Sequence, residues 1–403
     1  MTLDQAIERP VFICGAPRSG TTLIRNLLDS HPELTIFPSE IQGLREMNRM
    51  ARFGQDAVES YFRRETLFRD LAKYHDPFDD PEGQMNRSYE SSFGNVLEGE
   101  AAVDGPAFVA EYLRRIDAGP VDYRGYLTAV AGAYLSALKA PPPSTLKRFV
   151  FKRPLDFDCA AVTLKRQFPD ARFIHILRDP RTRYATVKFS RIRRAWMYRP
   201  LGLKVRKVTS FVDSRYDFVR GIAGNTMLSF DMARTNKAVI GDDYQVIRFE
   251  DLMADTTAIM DRMAAFLGIE RLPILDEPTY HGVPFHGNSR LKQDFAGKVV
   301  DIHGPRMALY RSLTNPTERM VVAIANKALS EIFGYEWDDD LRLSGRDILR
   351  LLRPFRFEEL PQFVANRRGL ARWIPEFSQR TARNQMLLSM IEDWHGGTPY
   401  GYD

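Results

Sequence analysis

Four apolar residues, Val11–Cys14, run straight into Gly15-Ala-Pro-Arg-Ser-Gly20-Thr-Thr22, and Leu23, Ile24, Leu27 and Leu28 then recur at helical spacing. Few folds accommodate that succession. A buried strand must turn through a glycine-rich loop and leave as a helix, the unit from which parallel α/β sheets are built. The alternation continues. Strands are predicted over Phe149–Lys152, Arg172–Leu177 and Tyr244–Phe249, and helices over Asp156–Gln167, from Pro180 onward, and over Ala258–Leu267. Right-handed crossovers between such strands give an α/β fold, a mostly parallel sheet flanked by helices.

Two parts of the chain depart from this pattern. Residues 41–144 read as a mostly helical insertion, with helices around Ala57–Tyr74 and Tyr126–Leu138 and a polar, glycine-containing stretch from Asp76 to Gly105. Pro141-Pro142-Pro143 forms its stiff exit. A helix is expected from Pro316 to about Ile332, and residues 337–403 read as a helical C-terminal extension with basic and aromatic positions. We therefore expect one α/β domain over 1–336, with a tail that could mediate a homo-oligomer.

Charge and cysteine content narrow the classes. The net charge of +5 favours anionic ligands without calling for nucleic acid. Cys14 and Cys159 stand at no metal-ligand spacing, which argues against a disulfide framework or a metal site and fits a reducing compartment. Residues 1–10 contain no apolar core of a signal peptide, and no run approaches the roughly 18 apolar residues that span a bilayer. The expectation is a soluble, cytoplasmic protein.

The glycine loop has the length and setting of a Walker A loop, whose backbone amides and following helix receive phosphate. The bland alternative is an ordinary glycine turn. Thr21 stands where that loop carries its lysine, so the charged tail of a nucleoside triphosphate with Mg²⁺ is poorly served. Arg18 supplies a cation from inside the loop instead. Pro17-Arg-Ser-Gly-Thr-Thr-Leu23 with His31-Pro32 resembles the 5′-phosphosulfate loop of sulfotransferases that use 3′-phosphoadenosine-5′-phosphosulfate (PAPS), especially the Golgi carbohydrate and protein-tyrosine branches and their bacterial relatives. The resemblance implies a P-loop-type fold, PAPS as sulfuryl donor without a metal, and Arg18, Ser19, Gly20, Thr21 and Thr22 around the phosphosulfate.

Phe173-Ile-His-Ile-Leu-Arg178, followed by Thr186, resembles the same family's 3′-phosphate motif. An arginine at the carboxyl end of a strand lies where open α/β sheets bind ligands, and its guanidinium can grip a phosphate with two hydrogen bonds. Thr186 replaces the usual serine but keeps the hydroxyl; the alternative is that Arg178 pairs with Asp179. Weaker similarities cover Val246–Leu252 with Phe266–Gly268, and Tyr310–Thr314 with Gly334-Tyr335. The late loop carries Ser289, Arg290 and Lys292, placed where the family covers the nucleotide.

Sulfuryl transfer needs a group that takes the acceptor's proton and a cation for the leaving oxygen. Cytosolic relatives use a histidine two residues after a lysine. Here Lys152 matches the lysine and Pro154 takes the histidine's place. The resemblance to the heparan-sulfate enzymes points instead to Glu40, nine residues after His31, with Lys152 and Arg18 on the leaving oxygen. Glu33 and His175 are poorer bases, one in a turn and one inside an apolar strand. The alternative for Glu40 is a helix cap or a solvated side chain. From Arg181 to Lys207 there are ten basic and no acidic residues, read as a solvated face, as a segment that steers PAPS or grips an anionic acceptor such as an acidic glycan, or as a basic amphipathic segment on anionic lipid. The expected function is sulfuryl transfer to a hydroxyl or amine, with the helical insertion forming the acceptor cleft. The rival readings are an ATP/Mg²⁺ kinase of a small metabolite and a non-catalytic protein that binds PAPS or its desulfated product.

Overall fold

The computed structural model describes residues 3–41, 55–63, 103–197, 216–280, 282–285, 303–314 and 316–337, with positions 47 and 345. Along the chain lie α1 (Leu3–Ile7), β1 (Val11–Cys14), α2 (Thr21–Leu27), β2 (Leu34–Glu40), α3 (Gln55–Phe62), α4 (Gly105–Asp117), α5 (Tyr123–Ala137), β3 (Arg148–Lys152), α6 (Asp156–Gln167), β4 (Arg172–Leu177), α7 (Pro180–Met197), α8 (Tyr216–Ile240), β5 (Tyr244–Arg248), α9 (Phe249–Ala254), α10 (Thr256–Leu267), β6 (Thr279–Tyr280), β7 (Val283–Pro284), α11 (His303–Leu313) and α12 (Pro316–Glu331). The chain divides into two compact units, Met1–Arg178 with Met232–Asp301, and Asp179–Asp231 with Ile302–Asp403.

The first unit holds a five-stranded sheet in the order β2-β3-β1-β4-β5, every pairing parallel. All residues of β1 and β3 are buried. This is the expected state of parallel strands covered on both faces, and it explains their unbroken apolar runs. Val11 pairs with Val150 on one side and Arg172 on the other, so β1 is central. The chain crosses from β1 towards β2 and later from β3 to β4 on the opposite side. The loop after β1 therefore sits at the reversal of winding, where such sheets bind ligands.

Beneath the sheet, Phe12 packs against Phe157 and Phe173 with ring centroids 4.8 and 5.2 Å away. Burying a side chain of that size stabilises by about 1.5–3 kcal/mol. Of the expected insertion, the described parts are mostly helical, with an isolated bridge between Val103 and Leu138. Asp104 caps α4 by accepting from the Ala107 amide, and Asp122 caps α5 by accepting from Gly125. Tyr134 on α5 packs against Phe37 and Phe149 and ties this hairpin to the sheet. The polar stretch at 76–102 and the extension from 338 onward lie outside the described residues, position 345 aside. The fifth strand ends at Arg248, one residue before the predicted limit, because Phe249 opens α9.

The second unit packs α7 against α11 and α12 around Tyr184, Tyr310, Met320 and Val321. The start of the basic run is engaged internally, which corrects the reading of a solvated face there. Arg181 forks onto the Asp179 carboxylate and lies over the Trp337 ring. Arg183 donates to the Thr226 hydroxyl, and the Lys188 ammonium is fully buried against both oxygens of Glu318, each at 2.8 Å. Glu318 also accepts from Tyr184 Oη at 2.6 Å. Removing one member of a buried pair strands the other charge, at a cost of about 3–5 kcal/mol. Glu318→Gln should therefore lower the urea midpoint of this unit by a corresponding amount; a variant as stable as wild type would show that the pair contributes nothing net. The side chains of 189–197, and residues 198–207 altogether, lie outside the described residues.

Candidate active site

The loop leaving β1 is shaped by three left-handed residues. Gly15 has φ of 130°, and a Cβ there would meet the Ile176 carbonyl oxygen at 2.5 Å. Gly20, at φ of 107°, would drive a Cβ to 2.5 Å from the Phe249 ring. Arg18 adopts φ of 72° without glycine's freedom. Strain of that kind, costing about 1–3 kcal/mol, collects where surrounding structure and function demand it. The Ser19 amide closes the turn on the Ala16 carbonyl, and Gly20 stands as N-cap of α2 with no side chain to satisfy the helix's first amides.

Two cations converge on this loop from neighbouring strands. Lys152 ends β3, and its side chain is only 5% exposed. Its Nζ donates to Thr22 Oγ1 at 2.9 Å and lies 3.0 Å from Glu40 Oε1. Arg178, just past β4, donates to the Arg18 carbonyl at 3.1 Å, and its guanidinium lies 4.5 Å from the Phe249 ring centroid. A guanidinium over an aromatic face gains a further attractive contact that helps to hold it in place.

Glu40 ends the edge strand β2 opposite Lys152, after a register shift between Ile36 and Glu40. The irregularity contains Pro38, which an edge strand tolerates. Its carbonyl is clamped from two directions, by Arg25 Nη1 at 2.8 Å and Tyr280 Oη at 2.9 Å. Glu40 thus faces Lys152, with Arg153 at 3.6 Å from its second oxygen, and keeps 36% of its side chain exposed. Burial works to raise its carboxyl, but Lys152, Arg153 and Arg25 outweigh that and hold it below the usual carboxylate range.

The model of the sulfotransferase family matches residues 10–273, well over half of the chain and every residue just described except Tyr280. The chain belongs to that family. This sulfotransferase also bears a likeness to solved sulfotransferases, all at low identity and low TM-score. A sulfotransferase domain from the Synechococcus PCC 7002 olefin synthase is 20% identical, with TM-score 0.44, covering 81% of this chain and 95% of that one. A sulfotransferase domain from the curacin biosynthetic pathway is 15% identical, with TM-score 0.42, covering 81% and 98%. Sulfotransferase STF9 from Mycobacterium avium is 17% identical, with TM-score 0.37, covering 78% of each chain. No curated relative matches the chain.

The sulfotransferase brings together Arg18, Ser19, Gly20, Thr21, Thr22, Lys152, Glu40 and Arg178 within its first unit. Thr186 belongs to the second unit. Its hydroxyl donates to the Thr182 carbonyl of its own helix at 2.8 Å. Ser289, Arg290 and Lys292 lie outside the described residues. Glu33 is engaged elsewhere, in an ion pair with Lys147 at 2.6 Å and accepting from the Glu270 amide. His175 is fully buried, and burial lowers its pKa, as a core histidine requires. Among the described residues, a cavity of about 450 Å³ is lined by Arg114, Arg115, Asp122 and Arg124 and by none of the residues above. Its guanidiniums are occupied by Glu111, Glu8 and Gln167. Sequence reasoning missed Arg25, Tyr280, Arg153 and Phe249. Only the aromatic after the β5 strand, at a helix start beside the loop, left a readable trace. No helix among the described residues is long and apolar enough to cross a membrane.

Proposed function

We propose that the protein transfers a sulfuryl group from PAPS to a hydroxyl or amine, with Glu40 as the base. The observation that carries this reading is Lys152, whose one ammonium touches both Glu40 and the loop hydroxyl of Thr22. The residues present fit a phosphosulfate donor. The loop would cradle it with Gly20 and hydroxyls of Ser19, Thr21 and Thr22, and the cations Arg18, Lys152 and Arg178 belong to residues at the carboxyl ends of the interior strands. Bound there, PAPS would supply an activated sulfuryl group to an acceptor held in line. Arg18 and Lys152 would take up charge on the bridging oxygen, and Arg178 would hold the 3′-phosphate. Thr186 stays a companion for that phosphate on its sequence spacing alone, since its proton is directed to Thr182.

Glu40 would receive the acceptor's proton. Its depressed pKa keeps it ionised at neutral pH, the state a base needs, at the expense of basicity. Lys152 offsets this, because turning toward the leaving oxygen loosens its hold on Glu40 as the proton arrives. The insertion and the helices near it would shape the acceptor cleft.

The test is release of 3′,5′-ADP from PAPS with a chelator present, across phenolic, aliphatic and amine acceptors. Release should need an acceptor and no divalent cation. A base whose pKa is depressed works at all pH values above that pKa, so log kcat/KM should stay flat through neutrality and fall only below the usual carboxylate range. Arg153→Gln removes one of the cations holding Glu40 down and should move that acid limb upward. A limb near neutrality, or one unmoved in Arg153→Gln, would count against Glu40.

A further inference from the structure

Behind the phosphate loop lies a set of buried polar groups that the reaction above does not use. Asp158 and His175 are fully inaccessible, as is Tyr244, and Asn236 nearly so. The Gly15 amide donates to both carboxylate oxygens of Asp158, at 3.1 and 2.9 Å. The Gly15 carbonyl accepts from the Leu155 amide at 3.1 Å, so the first turn of α6 holds both polar groups of that glycine. His175 Nε2 stands 3.4 Å from Asp158 Oδ1, and its Nδ1 lies 2.6 Å from Tyr244 Oη. Asn236 Nδ2 donates to the Asp158 carbonyl at 2.8 Å and to Tyr244 Oη at 3.3 Å. A neutral imidazole with its proton on Nε2 satisfies this pattern, donating to Asp158 and accepting from Tyr244.

The end of β1, the start of α6 and β4, which carry or adjoin the nucleotide motifs, meet in this network with β5 and with Asn236 of α8. Gly15 is where the loop departs, and its φ of 130° sets the direction of everything after it. Three residues beyond His175, Arg178 fixes the same loop again by binding the Arg18 carbonyl. The loop is thus held at its root from inside and at its crest from outside. A buried carboxylate is costly to bury unless it is fully hydrogen-bonded, and a core with no such duty would be filled by apolar groups.

We infer that Asp158, aligned by His175 and Tyr244, is a positioning residue that sets the loop for the phosphosulfate end of the nucleotide. The inference rests on the reading of this loop as the PAPS site. It concerns affinity for the nucleotide and leaves the acceptor's proton transfer to Glu40. Asp158→Asn keeps the shape but turns an amide NH₂ toward a donor, either the Gly15 amide or His175 Nε2, so one donor faces another. Tyr244→Phe keeps the stacking on Phe173 and removes only the hydroxyl that aligns His175.

Calorimetric titration of the full chain with 3′,5′-ADP, paired with steady-state KM for PAPS and kcat, tests this. Asp158→Asn should raise the Kd and the KM for PAPS about tenfold or more, with binding stoichiometry near one and kcat nearly unchanged. Tyr244→Phe should raise both about threefold in the same direction. A purely structural role would leave Kd and KM at wild-type values while lowering the stoichiometry or the melting temperature, and that would overturn the proposal. Should Asp158→Asn fail to fold, a wild-type Kd in Tyr244→Phe would overturn it equally. Silence from the wild-type protein itself would sink the reading of the nucleotide site, and this inference with it.

Discussion

Glu40→Gln should bind 3′,5′-ADP as tightly as wild type and lose about three orders of magnitude in kcat, the usual range for removing a general base. The substitution is nearly isosteric, so the bulged end of β2, clamped through the Pro38 carbonyl by Arg25 and Tyr280, keeps its course. What changes is charge. Lys152 loses its carboxylate partner at 3.0 Å and keeps Thr22 at 2.9 Å, which leaves it free to favour the anionic nucleotide. Unchanged or tighter nucleotide binding with collapsed turnover is therefore the signature of a base. Loss of both together would mark Glu40 as a structural ion-pair partner. Normal turnover would remove it from the mechanism.

The second large effect is expected on the far side of the loop. Arg178→Ala should weaken 3′,5′-ADP binding about a hundredfold, because a buried guanidinium on a phosphate makes charge-assisted bonds together worth about 3 kcal/mol. The same change deletes the bond to the Arg18 carbonyl, so the loop loses its outer support as well. Arg178→Lys should recover only part of the loss, since an ammonium lacks the planar fork and the fit over Phe249. Discrimination should fall with affinity: 5′-AMP, which lacks the 3′-phosphate, should lose only the smaller part that comes from the loop's outer support. If Arg178→Ala weakened 5′-AMP as strongly as 3′,5′-ADP, the residue would support the loop rather than read the phosphate.

Much of this architecture was legible because buried parallel strands advertise themselves. β1 and β4 are short apolar runs ending in glycine or Arg-Asp-Pro, and α6 fits its predicted bounds, Asp156–Gln167. The long helix α8 was not foreseen. Tyr216–Ile240 contains two glycines and mixes polar residues among its apolar ones, so no clean stripe emerges. The same holds for α11, whose glycine and proline at the start mimic a turn.

At the site, Glu40 and Lys152 could each be named through the resemblance to the family's motifs. Their pairing could not, because the register shift in β2 decides which residue faces Lys152. Nor could the clamp on Pro38, which joins side chains from positions 25 and 280. The basic run shows the opposite failure. Ten cations without an acid suggested a solvated or anion-binding face, yet Arg181, Arg183 and Lys188 find Asp179, Thr226 and Glu318 within the unit. Counting charges along a segment says nothing of the partners that other segments bring.

The account stands most directly on which nucleotide the loop accepts. Isothermal titration of the full chain without Mg²⁺, first with 3′,5′-ADP and then with ATP, should show binding of the 3′,5′-diphosphate alone. That preference follows from Arg178 at the carboxyl end of β4 and from Thr21 in place of a loop lysine. Silence with 3′,5′-ADP, and ATP binding that appears once Mg²⁺ is added, would contradict it and assign the loop to phosphoryl chemistry instead.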